Sequence, residues 1–121
     1  THLKWELNRS IPEIPSPLLY DNIIYMVRNG GLLAAVDAIN GKLHYRERLN
    51  APGQFSASPI GANGHVYLCS NRGVITVVKT GQEFSIVHQY DLKDPIHATP
   101  AIDQNTLYVR TGKFLLAFRK N

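Results

Sequence analysis

The sequence predicts an all-β protein, a β-propeller segment of about three four-stranded antiparallel blades that form an incomplete ring. Three observations predict it: a repeat of roughly forty residues, short strands rich in β-branched and aromatic residues, and no helical period. Ser16-Pro17 returns as Ser58-Pro59 and Thr99-Pro100, at offsets of 42 and 41 residues. Three tyrosines return at the same offsets: Tyr25, Tyr67 and Tyr108. A β-sandwich also has short strands, but it does not explain a repeat that stays in register.

Turn residues separate the predicted strands within each repeat. Strands at 23–27, 65–69 and 106–110 follow Asp-Asn, Asn-Gly or Gln-Asn pairs, and glycine turns, including the one at Gly73, precede the apolar runs at 32–36 and 74–78. A third run lies at 114–118. An outer strand, 42–46, follows Asn40-Gly41, a pair that favours a tight hairpin. We expect its counterparts at 84–87 and, from a preceding repeat, at 2–5.

These strands divide the chain into four parts. Residues 1–15 are predicted to hold the outer strand of a preceding blade and a connector, 16–57 and 58–98 are blades, and 99–121 is a partial blade without its outer strand. Propellers close with 4–8 blades, so the open blade faces need a cover. We expect as partner either the rest of a larger propeller or a second copy joined head to tail, with the strand around Trp5 completing the blade near Phe118.

Composition and residue spacing exclude several kinds of function. The net charge of +4 comes from 13 basic and 9 acidic residues spread along the chain, which does not predict nucleic-acid binding. No apolar run approaches the roughly 18 residues that a membrane span requires. The lone Cys69, in an apolar strand, excludes an internal disulfide. Neither the five histidines nor the serines show the spacing of a metal site or a nucleophile elbow.

The segment from Ala35 to Tyr45, which reads AVDAINGKLHY, carries a specific motif. It resembles the A-x-D-A-x-T-G-x-x-x-W blade motif of PQQ-like repeat propellers, the quinoprotein alcohol dehydrogenase-like proteins, and most of all their C-terminal blades. Tyr45 replaces the tryptophan, which the preceding repeat keeps as Trp5. The second repeat keeps Thr80-Gly81 and loses the aspartate.

The resemblance implies structural roles for the repeated residues. The small residues allow close packing, and the aromatic residue docks across the neighbouring blade. The short carboxylate of Asp37 is expected to accept backbone N–H groups in the following turn. The resemblance also implies a bacterial, periplasmic or extracytoplasmic location. The predicted structural repeat residues are Trp5, Tyr25, Asp37, Gly41, Tyr45, Tyr67, Gly73, Gly81 and Tyr108.

We predict no catalytic, cofactor-binding or metal-binding residue in this chain, so the sequence favours a non-catalytic binding or scaffolding module for protein or carbohydrate. Residues 50–55 are the expected exposed recognition loop. The alternative is a fragment of a PQQ-dependent dehydrogenase in which other blades supply PQQ and calcium. Whether the parent protein is an enzyme stays open.

Arg110 breaks the repeat, because Val27 and Cys69 hold its register positions. An ionised side chain on an interblade face needs a partner, since an unpaired buried charge is very costly. Two alternatives remain for this residue: a buried ion pair or a ligand contact.

Overall fold

Eleven β-strands in three antiparallel sheets make up the regular structure of residues 2–119, the part of the chain that the computed structural model describes. The first sheet has the order β1-β2-β3-β4, the second β5-β6-β7-β8, and the third β11-β10-β9, without a fourth strand among these residues. The all-β propeller prediction is therefore confirmed. The strands are β1 Leu18–Tyr20, β2 Ile23–Arg28, β3 Leu32–Asp37, β4 Leu43–Arg48, β5 Ile60–Ala62, β6 His65–Cys69, β7 Val74–Lys79, β8 Ile86–Asp91, β9 Ala101–Asp103, β10 Thr106–Arg110 and β11 Leu115–Arg119.

Residues that tolerate positive φ close the first hairpin of each sheet. Asp21 and Asn22, between β1 and β2, have φ values of 52° and 61°. Two consecutive residues with positive φ match the right-handed twist of the flanking strands. Asn63 and Gln104, with φ of 53° and 55°, begin the corresponding turns of the other two sheets. The turn pairs that recur in the sequence thus set the strand spacing of all three sheets.

Side-chain alternation gives the first two sheets apolar side chains on both faces, whereas the third sheet is apolar on the face that lies against the second sheet. The core between the first two sheets contains Tyr25, Val27 and Leu33 from one side and Val66 and Val78 from the other. A second core joins the second and third sheets through Cys69, Ile75 and Val77 and, facing them, Leu107 and Val109. The opposite face of the first sheet carries Met26, Ala34 and Val36, with Trp5 and Leu7 packed against them.

Strand positions differ from the prediction at three places. The outer strand of the second sheet is Ile86–Asp91, not 84–87, and β11 begins one residue later than predicted. The turn before β8 is longer than its counterpart in the first sheet: Asp37 N bonds to Lys42 O, whereas Lys79 N bonds to Ser85 O. The strand predicted at 2–5 is absent, because no sheet edge pairs with residues 2–17.

The connector between the first and second sheets is partly packed against the protein, so the loop predicted to be exposed at 50–55 is exposed only in part, at Asn50, Pro52 and Gln54. Ala51 and Phe55 are buried. The amide of Phe55 donates a 2.8 Å hydrogen bond to Asn29 Oδ1. A Cβ atom added at Gly31 would lie 2.6 Å from the carbonyl oxygen of Ala51, so only glycine fits against the connector there.

Candidate functional site

The contact between the first and second sheets shows how this fold fills the space between two blades. The Tyr25 hydroxyl lies 2.9 Å from Thr80 Oγ1 and accepts a 3.0 Å hydrogen bond from the amide of Gly81. The rings of Tyr45 and Phe84 pack at 5.4 Å between centroids. Burial raises the pKa of Tyr45, and Phe84 and Ile86 complete the packing from the outer side of the second sheet. The contact between the second and third sheets, described below, differs from this one in how the space between the sheets is filled.

A chain of hydroxyl groups links the start of the innermost strand of each sheet to the next. The amide of Ser16 donates to Ser58 Oγ at 2.9 Å, and the amide of Ser58 donates to Thr99 Oγ1 at 2.9 Å. This geometry explains why a hydroxyl residue precedes the repeated proline. The recurrence of Ser/Thr-Pro was the sequence signal for these hydrogen bonds. Each hydroxyl accepts from an amide a full repeat away, however, and the sequence did not predict that partner.

The contact between the second and third sheets leaves an open groove of about 550 Å³. In the first contact Phe84 and Ile86, beside and within the fourth strand, fill the equivalent space. The third sheet has no fourth strand within residues 2–119, so no such side chains enter the groove. Most of its walls are apolar or aromatic; they include Tyr67, Ile75, Val77, His88, Tyr90, Leu107 and Phe118, and Asn63, His65, Asn105 and Arg119 also line it.

His88 occupies the position in the groove that Tyr45 holds in the first contact. Tyr45 pairs with Ala35, and His88 pairs with Val77, the matching residue of β7. The imidazole of His88 stacks on the Tyr90 ring at 5.7 Å between centroids. Desolvation, followed by Tyr20 and Tyr90, raises the pKa of Tyr67, so its hydroxyl stays neutral at physiological pH. The groove therefore presents aromatic and apolar surface, with Arg119 at its wall, beside an edge of β11 that pairs with no strand of residues 2–119.

The His, Cys, Asp and Glu side chains of residues 2–119 form no metal-ligand cluster. No three His, Cys, Asp or Glu side chains there lie close enough to hold a metal ion. In the same range, no helix is long and apolar enough to cross a membrane.

A family sequence profile matches residues 4–84, which is most of the chain. The description of that family is outer membrane protein assembly factor BamB, a protein built from PQQ-like repeats. The chain belongs to this family of PQQ-like repeat propellers. The resemblance that the motif at 35–45 indicated is therefore confirmed. A search of curated proteins found no match.

Several solved structures have the same fold as this chain. BamB from Moraxella catarrhalis superposes with a TM-score of 0.79 at 18% identity, over 96% of this chain and 36% of that one. Quinohemoprotein alcohol dehydrogenase ADHIIG from Pseudomonas putida HK5 gives 0.67 at 15% identity, over 96% and 20%. The computationally designed Ika4 protein gives 0.63 at 9% identity, over 100% and 99%. This chain thus spans about a third of that BamB and a fifth of that dehydrogenase.

The repeat residues of this family member lie at the blade contacts and turns. The Trp5 ring packs on Gly41, and its Nε1 donates to Ala38 O at 3.1 Å. Asp37 Oδ1 accepts the amides of Ile39 and Asn40 at 2.8 and 3.3 Å. Gly73, with φ of +99°, packs against the backbone of Asp94.

Gly81 is not equivalent to Gly41, although the sequence motif aligned them. Lys79 pairs with His65 as Asp37 pairs with Ile23, so Thr80 holds the position of Ala38. Gly81 then corresponds to Ile39. Its amide bonds to Tyr25 OH instead of facing an aromatic ring.

Tyr108 and Arg110 lie on the far face of the third sheet, and both are exposed. No ion pair joins Arg110 within residues 2–119. The expected buried ion pair is therefore not formed inside this part of the chain. An ion pair of Arg110 would therefore need a partner that packs against the third sheet.

Proposed function

We propose that this chain is a non-catalytic propeller segment that acts as a binding or scaffolding module for protein. The observation that carries the proposal is the apolar groove between the second and third sheets, beside the unpaired edge of β11. An extended segment that added a fourth strand to β11 would place side chains in this groove, as Ile86 does in the preceding contact. The backbone groups at the edge of β11, which pair with no strand of residues 2–119, favour a protein segment over a carbohydrate because a peptide can extend the sheet.

The occupant that fits is a segment with the pattern of an outer strand. Residues 2–5 have that pattern, since His2-Leu3-Lys4-Trp5 parallels Lys42-Leu43-His44-Tyr45. Leu3 then corresponds to Leu43, and Leu43 pairs with Val36 as Ile86 pairs with Val78. Leu3 is 79% exposed, and no strand of residues 2–119 pairs with its segment. We therefore propose a second copy of this chain as the partner, placing Leu3 in the groove. A further blade of a longer propeller is the other source of such a strand.

Light scattering of the 121-residue chain over a range of concentrations tests the second copy. We expect a mass above the 13.5 kDa of one chain, which Leu3→Lys returns toward the single-chain value because the lysine loses the apolar contacts of Leu3 with the groove walls. Ile14→Lys is the matched control, since Ile14 is also exposed, at 70%, but lies outside the groove. A single-chain mass at all concentrations would rule out the second copy.

The alternative function is a fragment of a PQQ-dependent dehydrogenase, which the structural likeness to ADHIIG favours. In that case other blades would supply PQQ and calcium. Titrating the parent protein with both, and recording the absorption spectrum of the quinone, separates the two proposals. A saturable spectral change would overturn the non-catalytic function.

We also propose a bacterial periplasmic or extracytoplasmic location, which the family description supports. Detecting the parent protein in the cytoplasmic fraction of fractionated cells would contradict it.

A further inference from the structure

Three arginines converge on a second pocket, at the end of the first sheet away from the groove. Arg9, Arg28 and Arg46 line this pocket of about 440 Å³ together with Asn8 and Ser10. Arg28 ends β2 and Arg46 lies on β4, and they share one face of the sheet, since Met26 and Ala34 between them pack in one cluster. The segment 8–11 crosses this face and contributes Arg9.

The donors of this pocket are poorly matched by acceptors of the protein. The Nε atom of Arg28 is buried and has no hydrogen-bond partner within residues 2–119. Its Nη2 atom lies 3.5 Å from Glu13 Oε2, at the long end for an ion pair, and 43% of the Arg28 side chain is exposed. Buried polar groups are nearly always paired, so an orphaned guanidinium N–H indicates a missing acceptor.

The backbone positions the polar groups around this pocket. Ser10 is buried and has a φ of 62°, a conformation that is rare for residues other than glycine. Its Oγ accepts a 3.3 Å hydrogen bond from Arg46 Nη1. Asn50 and Lys93, with φ of 58° and 55°, hold the matching position of the later connectors. The connector geometry therefore recurs, but the arginines do not, since Ser70 and Gln89 replace Arg28 and Arg46.

Charge around the pocket is strongly positive. No carboxylate is among its lining residues, and Glu13 is the one acidic side chain within residues 2–119 that pairs with any of the three arginines. A hydrogen bond from the amide of Asn29 keeps the pKa of Glu13 below its usual range, so Glu13 is ionised at neutral pH. The excess of two positive charges matches a dianion.

We propose that the pocket of Arg9, Arg28 and Arg46 binds a phosphate group, carried by a small organic phosphate or by a phospholipid headgroup. Planar guanidinium groups bind phosphate oxygens with two parallel hydrogen bonds, and arginine is favoured over lysine where that geometry is used. The volume accommodates a phosphate with an attached organic group. None of the residues that line this pocket lines the groove.

Calorimetric titration with inorganic pyrophosphate, at constant ionic strength, tests the soluble form of the ligand. We expect saturable binding that Arg46→Gln and Arg9→Gln each weaken at least about tenfold, because each removes a charge-assisted contact. Arg9 is exposed and no hydrogen bond or ion pair of its side chain is found within residues 2–119, so Arg9→Gln keeps the test valid if Arg46→Gln disturbs the fold. Arg72→Gln, with the same charge change in a turn of the second sheet, is the control and should bind as the parent does.

Sedimentation with vesicles tests the lipid form. Binding to vesicles of phosphatidic acid, whose phosphate is a monoester, but not to phosphatidylcholine vesicles, with loss in the two pocket variants, would assign the phosphate to a lipid headgroup. Binding to pyrophosphate alone would assign it to a soluble compound. No saturable binding in either experiment, or equal weakening by Arg72→Gln, would overturn the proposal.

Discussion

Close approaches at single residues decide which positions accept only glycine. Gly41 and Gly64 have nearly equal φ values, +75° and +79°, but different surroundings. A Cβ atom at Gly41 would lie 2.7 Å from the Trp5 ring, whereas nothing lies within 4 Å of one at Gly64. The two glycines therefore separate the cost of an unusual backbone conformation from the cost of a steric clash.

Gly41→Ala should lower the free energy of unfolding by at least about 1 kcal/mol more than Gly64→Ala. Both variants carry the backbone strain of about 1–2 kcal/mol, but only Gly41→Ala displaces Trp5 from Ala38 O. Urea denaturation followed by Trp5 fluorescence measures both. Equal losses would show that the Trp5 contact contributes nothing to stability.

Cys69 behaves as a buried apolar residue. It lies in the core between the second and third sheets, and desolvation raises the pKa of its thiol to about 12. Because the thiolate is the reactive form, alkylation by iodoacetamide at pH 8 should be at least on the order of a hundredfold slower in the folded protein than in urea. Similar rates in the two states, measured by mass spectrometry, would mean that the third sheet does not cover Cys69.

Side chains that recur in the repeat contribute to the contacts between neighbouring sheets, but equivalent side chains have different surroundings. Tyr25 is fully buried and its hydroxyl bonds to the second sheet, whereas Tyr108, two repeats later, is 40% exposed. No hydrogen bond of the Tyr108 hydroxyl is found within residues 2–119. Tyr25 and Tyr108 therefore allow the same repeat position to be compared with and without a hydrogen bond to a neighbouring sheet.

Tyr25→Phe should destabilise the protein by about 1–2 kcal/mol, because it leaves the amide of Gly81 and the hydroxyl of Thr80 without their partner. Tyr108→Phe is the matched control and should change stability by less than about 0.5 kcal/mol. Thermal and urea unfolding of the two variants make the comparison. A larger effect at Tyr108 would indicate that a partner already covers the third sheet in solution.

Stability across the chain should decline from the first sheet to the third. The first two sheets share a large core, while β11 pairs only with β10 in the described part of the chain, residues 2–119, and is mostly exposed. Local opening is easiest where few buried contacts hold the backbone. The assembly of three sheets is therefore expected to open from the β11 side.

Amide hydrogen exchange at low protein concentration should show fastest exchange in β10 and β11 and slowest in β3 and β7. Raising the concentration should slow exchange in β11 if a second copy adds a strand there, because strand pairing protects amides. Leu3→Lys should abolish that concentration dependence. Uniform protection of all three sheets at low concentration would contradict the predicted order.

Recurring local signals made much of the fold predictable. In each repeat, a turn pair, a tyrosine and an apolar run lie within a few residues of one another. The number of strands and their antiparallel order could therefore be predicted from these signals. Lengths that change between repeats were harder to predict. The longer turn before β8 shifted that strand to Ile86–Asp91 and placed His88, not a residue of 84–87, opposite Val77.

The sequence by itself determined the repeat, the propeller family and the turns, because these depend on neighbouring residues. The tertiary structure decided that Ala51 and Phe55 of the connector at 50–55 are buried, that residues 2–5 form no strand, and that Ser58 bonds a full repeat away. It also brought Arg9 beside Arg28 and Arg46 and left the groove open. These features depend on which sheet faces lie against each other, and contacts across tens of residues have no local signature.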